Sequence, residues 1–267
     1  MHFHRPNPPL WLVQSALALT LSFGQAQAQT PPQTTLPGVS PTAYVGPHFP
    51  GGPDSLAAVL GRATRAASPA LVGQVFLHLT LDARGQVSAS ALLPPPARTP
   101  AARLFASAEV QKVAQRLVSQ LPAWQPANGV PRPGDSPGMV VLPLTFGPLS
   151  ATRALAYGDD EPTFSAARLQ ALAGGRPSRS LAEYVQRQVR YPAQALRSRQ
   201  QGTVYAYFEV SETGLVEQPR IVGSAGETLD EEGLRALKLV PPATVPARYQ
   251  GRPVRVYYVV PVAFKML

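Results

Sequence analysis

Gly202-Thr203-Val204-Tyr205-Ala206-Tyr207-Phe208-Glu209-Val210-Ser211-Glu212-Thr213-Gly214-Leu215-Val216 decides the fold. Val204, Ala206, Phe208 and Val210 recur at every second position, the period of a half-buried strand. Gly214 closes a short polar turn, where glycine permits the positive φ of a tight hairpin. A second strand then runs to Ile221-Val222. The same pattern occurs earlier in the chain. Gly73 to Val87 places Val75, Leu77, Leu79 and Leu81 on one face, and Gly85 follows Gly73 by 12 positions, as Gly214 follows Gly202. An internal repeat at this spacing implies two copies of one small module.

Each hairpin is followed by a helical pattern. Val110, Val113, Ala114, Leu117 and Val118 fall on one helical face in the first copy. In the second, Leu229, Gly233, Leu237 and Val240 do so, and Thr228-Leu229-Asp230-Glu231 predicts a capping box with Thr228 at the N-cap. A closing strand comes last. Val254, Val256, Tyr258, Val260, Val262 and Phe264 alternate in one copy, and Val140, Leu142, Leu144 and Phe146 in the other. Each has a proline three residues before its phenylalanine, Pro143 and Pro261. Proline donates no ladder hydrogen bond, so these strands are predicted at sheet edges or at a break in the ladder.

Ahead of the hairpins, a helix is predicted from about Ser55 to Arg65 in the first copy. In the second, Ser180-Leu181-Ala182-Glu183 reads as a capping box opening a helix to about Val189. Tyr191-Pro192 then breaks that helix, with Pro192 starting a second short one at its first position. The first copy has no room for this second helix. The fold class is therefore α+β: two modules, each a three-stranded antiparallel sheet with helices on one face.

The second copy, from Leu181 to Lys265, resembles the C-terminal domain of TonB. The residues that carry the resemblance are Tyr191-Pro192-x-x-Ala195, Gly202-Thr203-Val204, Gly214-Leu215-Val216, Leu229-Asp230, Pro246-Ala247, Gly251-x-Pro253-Val254 and Val262-x-Phe264. The first copy resembles the family more weakly and reads as degenerate. Its Pro47-His48-Phe49-Pro50-Gly51-Gly52 is similar to the entry of TonB-like proteins of the Bacteroidetes type, and Trp124-x-Pro126-Ala127 and Leu144-x-Phe146 continue the pattern. The Tyr-Pro segment is missing there, and the loop Gly129 to Gly138 is rewritten.

The resemblance implies a binding mode, β-augmentation, in which an extended segment of an outer-membrane transporter joins the sheet beside the last strand. The corresponding edge here is Val254, Arg255, Val256, Tyr257, Tyr258, Val259 and Val260, with Arg255, Tyr257 and Val259 as the alternate side-chain row. Pro261 removes one donor beyond them. The aromatic row Tyr205, Tyr207, Tyr257 and Tyr258 is either a recognition surface or ordinary strand tyrosine facing a helix or solvent.

The N-terminus reads as an export signal. Pro9 to Phe23 is a short apolar stretch behind His2, His4 and Arg5, and Ala26 and Ala28 supply a small-x-small cleavage pattern, placing the cut between Ala28 and Gln29. The alternative is an uncleaved inner-membrane anchor, for which the stretch is short of the ~20 residues a spanning helix needs. The chain then divides into 1–28 signal peptide, 29–43 Pro-rich linker, 44–148 first module, 149–176 linker and 177–267 second module. Gln29 to Ala43 is 15 residues, reaching only ~45 Å at about 3.1 Å per residue of polyproline. That is short for spanning the periplasm, which argues against a force transducer.

Composition excludes several classes. The chain of 267 residues has no cysteine, hence no thiol nucleophile, disulfide or zinc-thiolate site. A net charge of +9 is spread without a Lys or Arg run, so no nucleic-acid partner is expected. His48 and His78 stand apart, each without the partners of a triad or metal site. Asp159-Asp160-Glu161 reads as a solvated linker cluster, and Asp230-Glu231-Glu232 as the favoured negative first turn of a helix. No phosphate-binding glycine loop or nucleophile elbow is present. The expectation is a periplasmic binding protein, not an enzyme, with no cofactor or metal. Its partner is an outer-membrane TonB-dependent transporter or another envelope protein. A membrane-anchored transducer component is one alternative; a structural envelope protein whose modules pack together or form a homodimer is another.

Overall fold

The computed structural model describes residues 42–126, 138–148, 154–165 and 181–266. The stretch 1–28 read as a signal peptide, the expected Ala28–Gln29 junction, Ser180 of one capping box, Ala127 and most of the Gly129 to Gly138 loop lie outside them. In chain order the first half contains β1 (Thr42–Ala43), α1 (Gly52–Arg65), β2 (Gly73–Leu81), β3 (Val87–Leu92), α2 (Pro100–Phe105), α3 (Ala108–Gln120) and β4 (Met139–Phe146). The segment that follows contributes β5 (Asp160–Glu161) and β6 (Thr163–Phe164). The second half contains α4 (Leu181–Gln188), α5 (Ala193–Arg197), β7 (Gly202–Val210), β8 (Val216–Gly223) and α6 (Glu227–Leu237). It ends with β9 (Ala243–Val245), β10 (Arg248–Tyr249), β11 (Arg252–Pro253) and β12 (Val256–Phe264).

Both hairpins form where the alternation places them, and in both the first residue of the turn organises it. Asp82 Oδ1 accepts from Arg84 N at 2.8 Å and Gln86 N at 2.9 Å, and Ser211 Oγ accepts from Leu215 N at 3.0 Å. The glycines at the fourth position have φ of +75° (Gly85) and +86° (Gly214), the left-handed region that favours glycine. The closing strand then lies antiparallel on the other side of the first, giving sheets ordered β3-β2-β4 and β8-β7-β12.

The prolines sit on outer edges, as the sequence predicts. Leu81 N bonds Gly138 O at 2.6 Å. By antiparallel alternation the even residues of β4 bond to β2, and the odd ones, Pro143 included, point away. In β12, Tyr257 N and Ala263 N bond outside the sheet, so Pro261 has the same outward sense. Neither proline costs a ladder bond.

One face of each sheet packs under helices. Leu77, Leu79, Leu142, Leu144 and Phe146 are buried with Leu56 of α1 and Val110, Val113 and Leu117 of α3. Val204, Phe208, Val262 and Phe264 are buried with Tyr184 and Val185 of α4 and Leu229 and Leu237 of α6. Each fully buried side chain of this size contributes about 1.5–3 kcal/mol of transfer free energy, which favours the helix-covered face as the anchor of each half.

The opposite faces meet each other. Phe76, Leu93 and Val141 pack against Tyr207, Val222 and Tyr257 in a third buried cluster. Tyr257 Oη donates to Val141 O at 3.0 Å, Arg220 Nη2 to Gln74 Oε1 at 2.7 Å and Ser224 N to Pro94 O at 2.7 Å. The two sheets therefore lie back to back with helices outside, and the described residues form one compact unit from Thr42 onward. The tyrosine row is divided by this arrangement. Tyr207 and Tyr257 are in the inter-sheet cluster with Tyr205 at its margin, whereas Tyr258 packs on the helix-covered core. His78, opposite the leucine face of β2, meets Tyr205 edge-on at 5.7 Å, and burial lowers its pKa.

Several local expectations change. Gly226, not Thr228, is the N-cap of α6. The Asp230 carboxylate instead reaches back to accept from Ser224 Oγ at 2.5 Å and Ala225 N at 3.1 Å, tying the loop before the helix. Pro192 is the N-cap of α5 rather than its first residue. The chain between the sheets is docked where described. β5 pairs with both β1 and β10, β6 pairs with β9, and Tyr157 stacks on Tyr44 at 4.6 Å. Asp159-Asp160-Glu161 belongs to this pairing: Asp159 Oδ2 accepts from Gln250 N at 2.7 Å. His48 holds the entry segment to Gln125 through two backbone bonds of 3.0 and 2.9 Å.

Candidate functional site: the outer edge of the last strand

Among the described residues β12 is laddered to another strand along one side only, from Val256 opposite Val210 to Phe264 opposite Gly202. Its outer side presents the main-chain groups of residues 255, 257, 259, 261 and 263. Three of these residues have partners at that side. Leu155, from the segment joining the sheets, donates to Arg255 O at 2.9 Å and accepts from Tyr257 N at 3.0 Å, as an isolated parallel bridge. At the other end the side-chain amide of Gln186, on α4, donates to Ala263 O at 2.9 Å and accepts from Ala263 N at 2.8 Å. Between them lie the carbonyls of Tyr257, Val259 and Pro261 and one donor, the Val259 N–H. The window is thus framed by a strand-like contact on one side and an amide clamp on the other.

The expected edge residues divide accordingly. Val256, Tyr257, Tyr258, Val259 and Val260 are in β12, whereas Val254 and Arg255 precede it. Val254 N bonds Ala247 O at 3.0 Å. Of the alternate side-chain row, Tyr257 is 8% exposed and faces the other sheet, and burial pushes its hydroxyl pKa up. Arg255 is held by three carboxylates, Glu217 at 2.5 Å, Glu209 at 3.2 Å and Glu212 at 3.4 Å. Its pKa is raised, first by the Glu217 hydrogen bond. Glu209 is 5% exposed and also accepts from Tyr207 Oη at 2.6 Å. The row therefore serves the interior, and recognition at this edge falls to the main chain.

Leu155 and Gln186 were not legible as edge partners. Each is one residue in an unremarkable context, and only the tertiary fold brings it to β12. Among the described residues no group of His, Asp or Glu is placed to hold a metal ion, and no helix is long and apolar enough to cross a membrane.

The sheet β8-β7-β12, the helix ahead of it and the outer-edge proline lie within one stretch of sequence. Residues 187–266 match the family model described as Gram-negative bacterial TonB protein C-terminal. This stretch is a TonB C-terminal domain. The TonB domain begins in the last turn of α4 and runs to the end of β12, so it contains the window but neither Leu155 nor Gln186. The family is periplasmic, is associated with transport rather than catalysis, and engages outer-membrane TonB-dependent transporters. The chain is accordingly TonB-like and linked to TonB-dependent transport. No curated protein and no solved structure matches it.

Proposed function

We propose that the TonB domain binds an extended segment of an outer-membrane transporter, or of another envelope protein, as a strand added to β12. The observation that carries this reading is the run of main-chain groups around Val259 that has no partner among the described residues, on a strand laddered along one side only. A strand added there gains its affinity from backbone hydrogen bonds and needs little from the inward-facing side chains. Leu155 already lies on the same edge, so a longer partner segment would replace it bond for bond.

The reading includes export with cleavage between Ala28 and Gln29, and action in the periplasm by binding rather than catalysis. Residues 44–148 are proposed as a first, degenerate copy of the domain and 177–267 as the second, intact one. The shared strand order and the matching outward prolines support this. A structural role for the pair is a second reading, favoured by the buried contact between the two sheets.

Val259→Pro tests the binding edge. It removes the outward N–H without breaking a bond to β7. We expect affinity for a synthetic N-terminal segment of a TonB-dependent transporter to fall about tenfold or more, about 1.4 kcal/mol, in isothermal titration. Val259→Ala, which keeps the N–H, is expected to stay within about threefold of the parent. Equal affinity for the proline variant and the parent would remove β12 as the receiving edge.

A further inference from the structure

The two sheets touch through the Phe76–Tyr257 cluster and then diverge, leaving a cleft of about 1040 Å³ between α1, the outer edge of β4 and the inward face of β8. Its walls are largely apolar, with Leu60, Phe76, Pro143 and Val222 among them. Two features are unlike an ordinary packing void.

The first is a strand edge. The odd residues of β4 direct their main-chain groups away from β2. Val141 O is taken by Tyr257 Oη and Pro143 has no N–H. Thr145 presents both N–H and C=O on the cleft side. Its hydroxyl accepts from Gln74 Nε2 at 2.8 Å, and among the described residues no bond to its outward main-chain groups is seen.

The second is a cation that makes no direct ion pair among the described residues, the Glu209 carboxylate on the same lining being held by Arg255 and Tyr207. Two arginines lie on the inward face of the TonB domain. Arg255 has three carboxylates around it. Arg220 lies 4.0 Å over the Tyr207 ring, hydrogen-bonds the Tyr207 side chain, and donates to the neutral amide oxygens of Gln74 at 2.7 Å and Gln218 at 3.0 Å. The amides and ring fix the guanidinium in place on the cleft wall, an arrangement that leaves it able to take a carboxylate in bidentate fashion. Arg65, in the last turn of α1, adds a second positive charge to the lining.

We propose that this cleft binds an extended acidic peptide as a strand added to β4, with a carboxylate on Arg220. The edge selects an extended backbone, the apolar walls take alternate aliphatic side chains and the arginines select negative charge. An aliphatic carboxylate such as a fatty acid would use the walls and Arg220 but not the edge, and is the lesser match. The proposal does not depend on β12 as a receiving edge.

The test is fluorescence anisotropy of a fluorescein-labelled octapeptide alternating valine and glutamate, added to the full chain. Expected is saturable binding that weakens with salt and is unchanged in Val259→Pro. Arg220→Gln should weaken it about tenfold or more. Thr145→Pro, which deletes the outward N–H and no ladder bond, should abolish it, while Thr145→Val, which keeps the N–H, should retain it. Both Thr145 variants are checked for a retained unfolding midpoint. The proposal is overturned if Thr145→Pro binds like the parent, if the valine–lysine octapeptide binds equally, or if sodium laurate binds regardless of Thr145→Pro while the peptide does not bind. Loss of binding in Val259→Pro alone would assign the peptide to β12 and also overturn it.

Discussion

Arg255→Met is expected to lower the unfolding free energy by about 3–5 kcal/mol, the usual consequence of removing one partner from a buried ion pair. The Arg255 side chain is 14% exposed and that of Glu209 6%. Glu209 sits on the inward face of β7, where Tyr207 Oη and Gln218 Nε2 also donate to it, at 2.6 and 3.4 Å. Those two neutral donors remain in the variant, but the carboxylate would lie between the sheets without its cation. Glu217 and Glu212 would then add like charge beside it. Neutralising Glu209 as well should recover most of the loss. Arg255→Met/Glu209→Gln is expected within about 1–2 kcal/mol of the parent, since an isosteric amide can keep the Tyr207 bond. Urea unfolding of the parent, both single variants and the double variant measures the coupling. A loss below about 1 kcal/mol for Arg255→Met would mean that the pair behaves as a surface pair.

Gly85→Ala is the other large effect. At φ +75° an added Cβ costs about 1–2 kcal/mol from the backbone alone. Here the Cβ would also stand 1.7 Å from the Trp124 carbonyl oxygen and 3.0 Å from its nitrogen. The turn is clamped in place, because Trp124 N donates to Gly85 O at 2.8 Å and the Trp124 side chain is buried against Phe49. Relief requires moving main chain rather than a flexible side-chain end, so a loss above about 3 kcal/mol is expected. Gly214→Ala meets the Ala243 carbonyl at 2.6 Å and should lose less. Thermal unfolding ranks the two, and the opposite order would contradict the turn geometry.

The hairpins, helices and edge strands were legible because each leaves a local pattern. Val75-to-Leu81 and Val204-to-Val210 alternate cleanly, and Pro143 and Pro261 mark outward-facing edge positions whatever packs around them. Packing of one sheet on the other left a weaker trace. Phe76, Val141, Tyr207 and Tyr257 form a second apolar row on strands whose first row already fills a core, and such a row reads equally as a recognition surface. β5, β6, β9, β10 and β11 are two or three residues long, too short to show any period. Thr228 matched the capping-box pattern, but Ser224 and Asp230 tie the loop differently and move the helix start to Gly226. The candidate edge was legible as a strand and a proline. Its occupation by Leu155 and Gln186 depends on contacts across 101 positions of sequence, from Leu155 to its bridge partner Val256, and 77, from Gln186 to Ala263, which no local pattern encodes.

Amide hydrogen exchange of the chain, with and without a saturating N-terminal segment of a TonB-dependent transporter, tests strand addition at β12 most directly. The Val259 N–H is expected to gain about tenfold protection or more when the segment binds, while the Thr145 N–H is unchanged. Bound segment with no added protection at Val259 would contradict strand addition at β12.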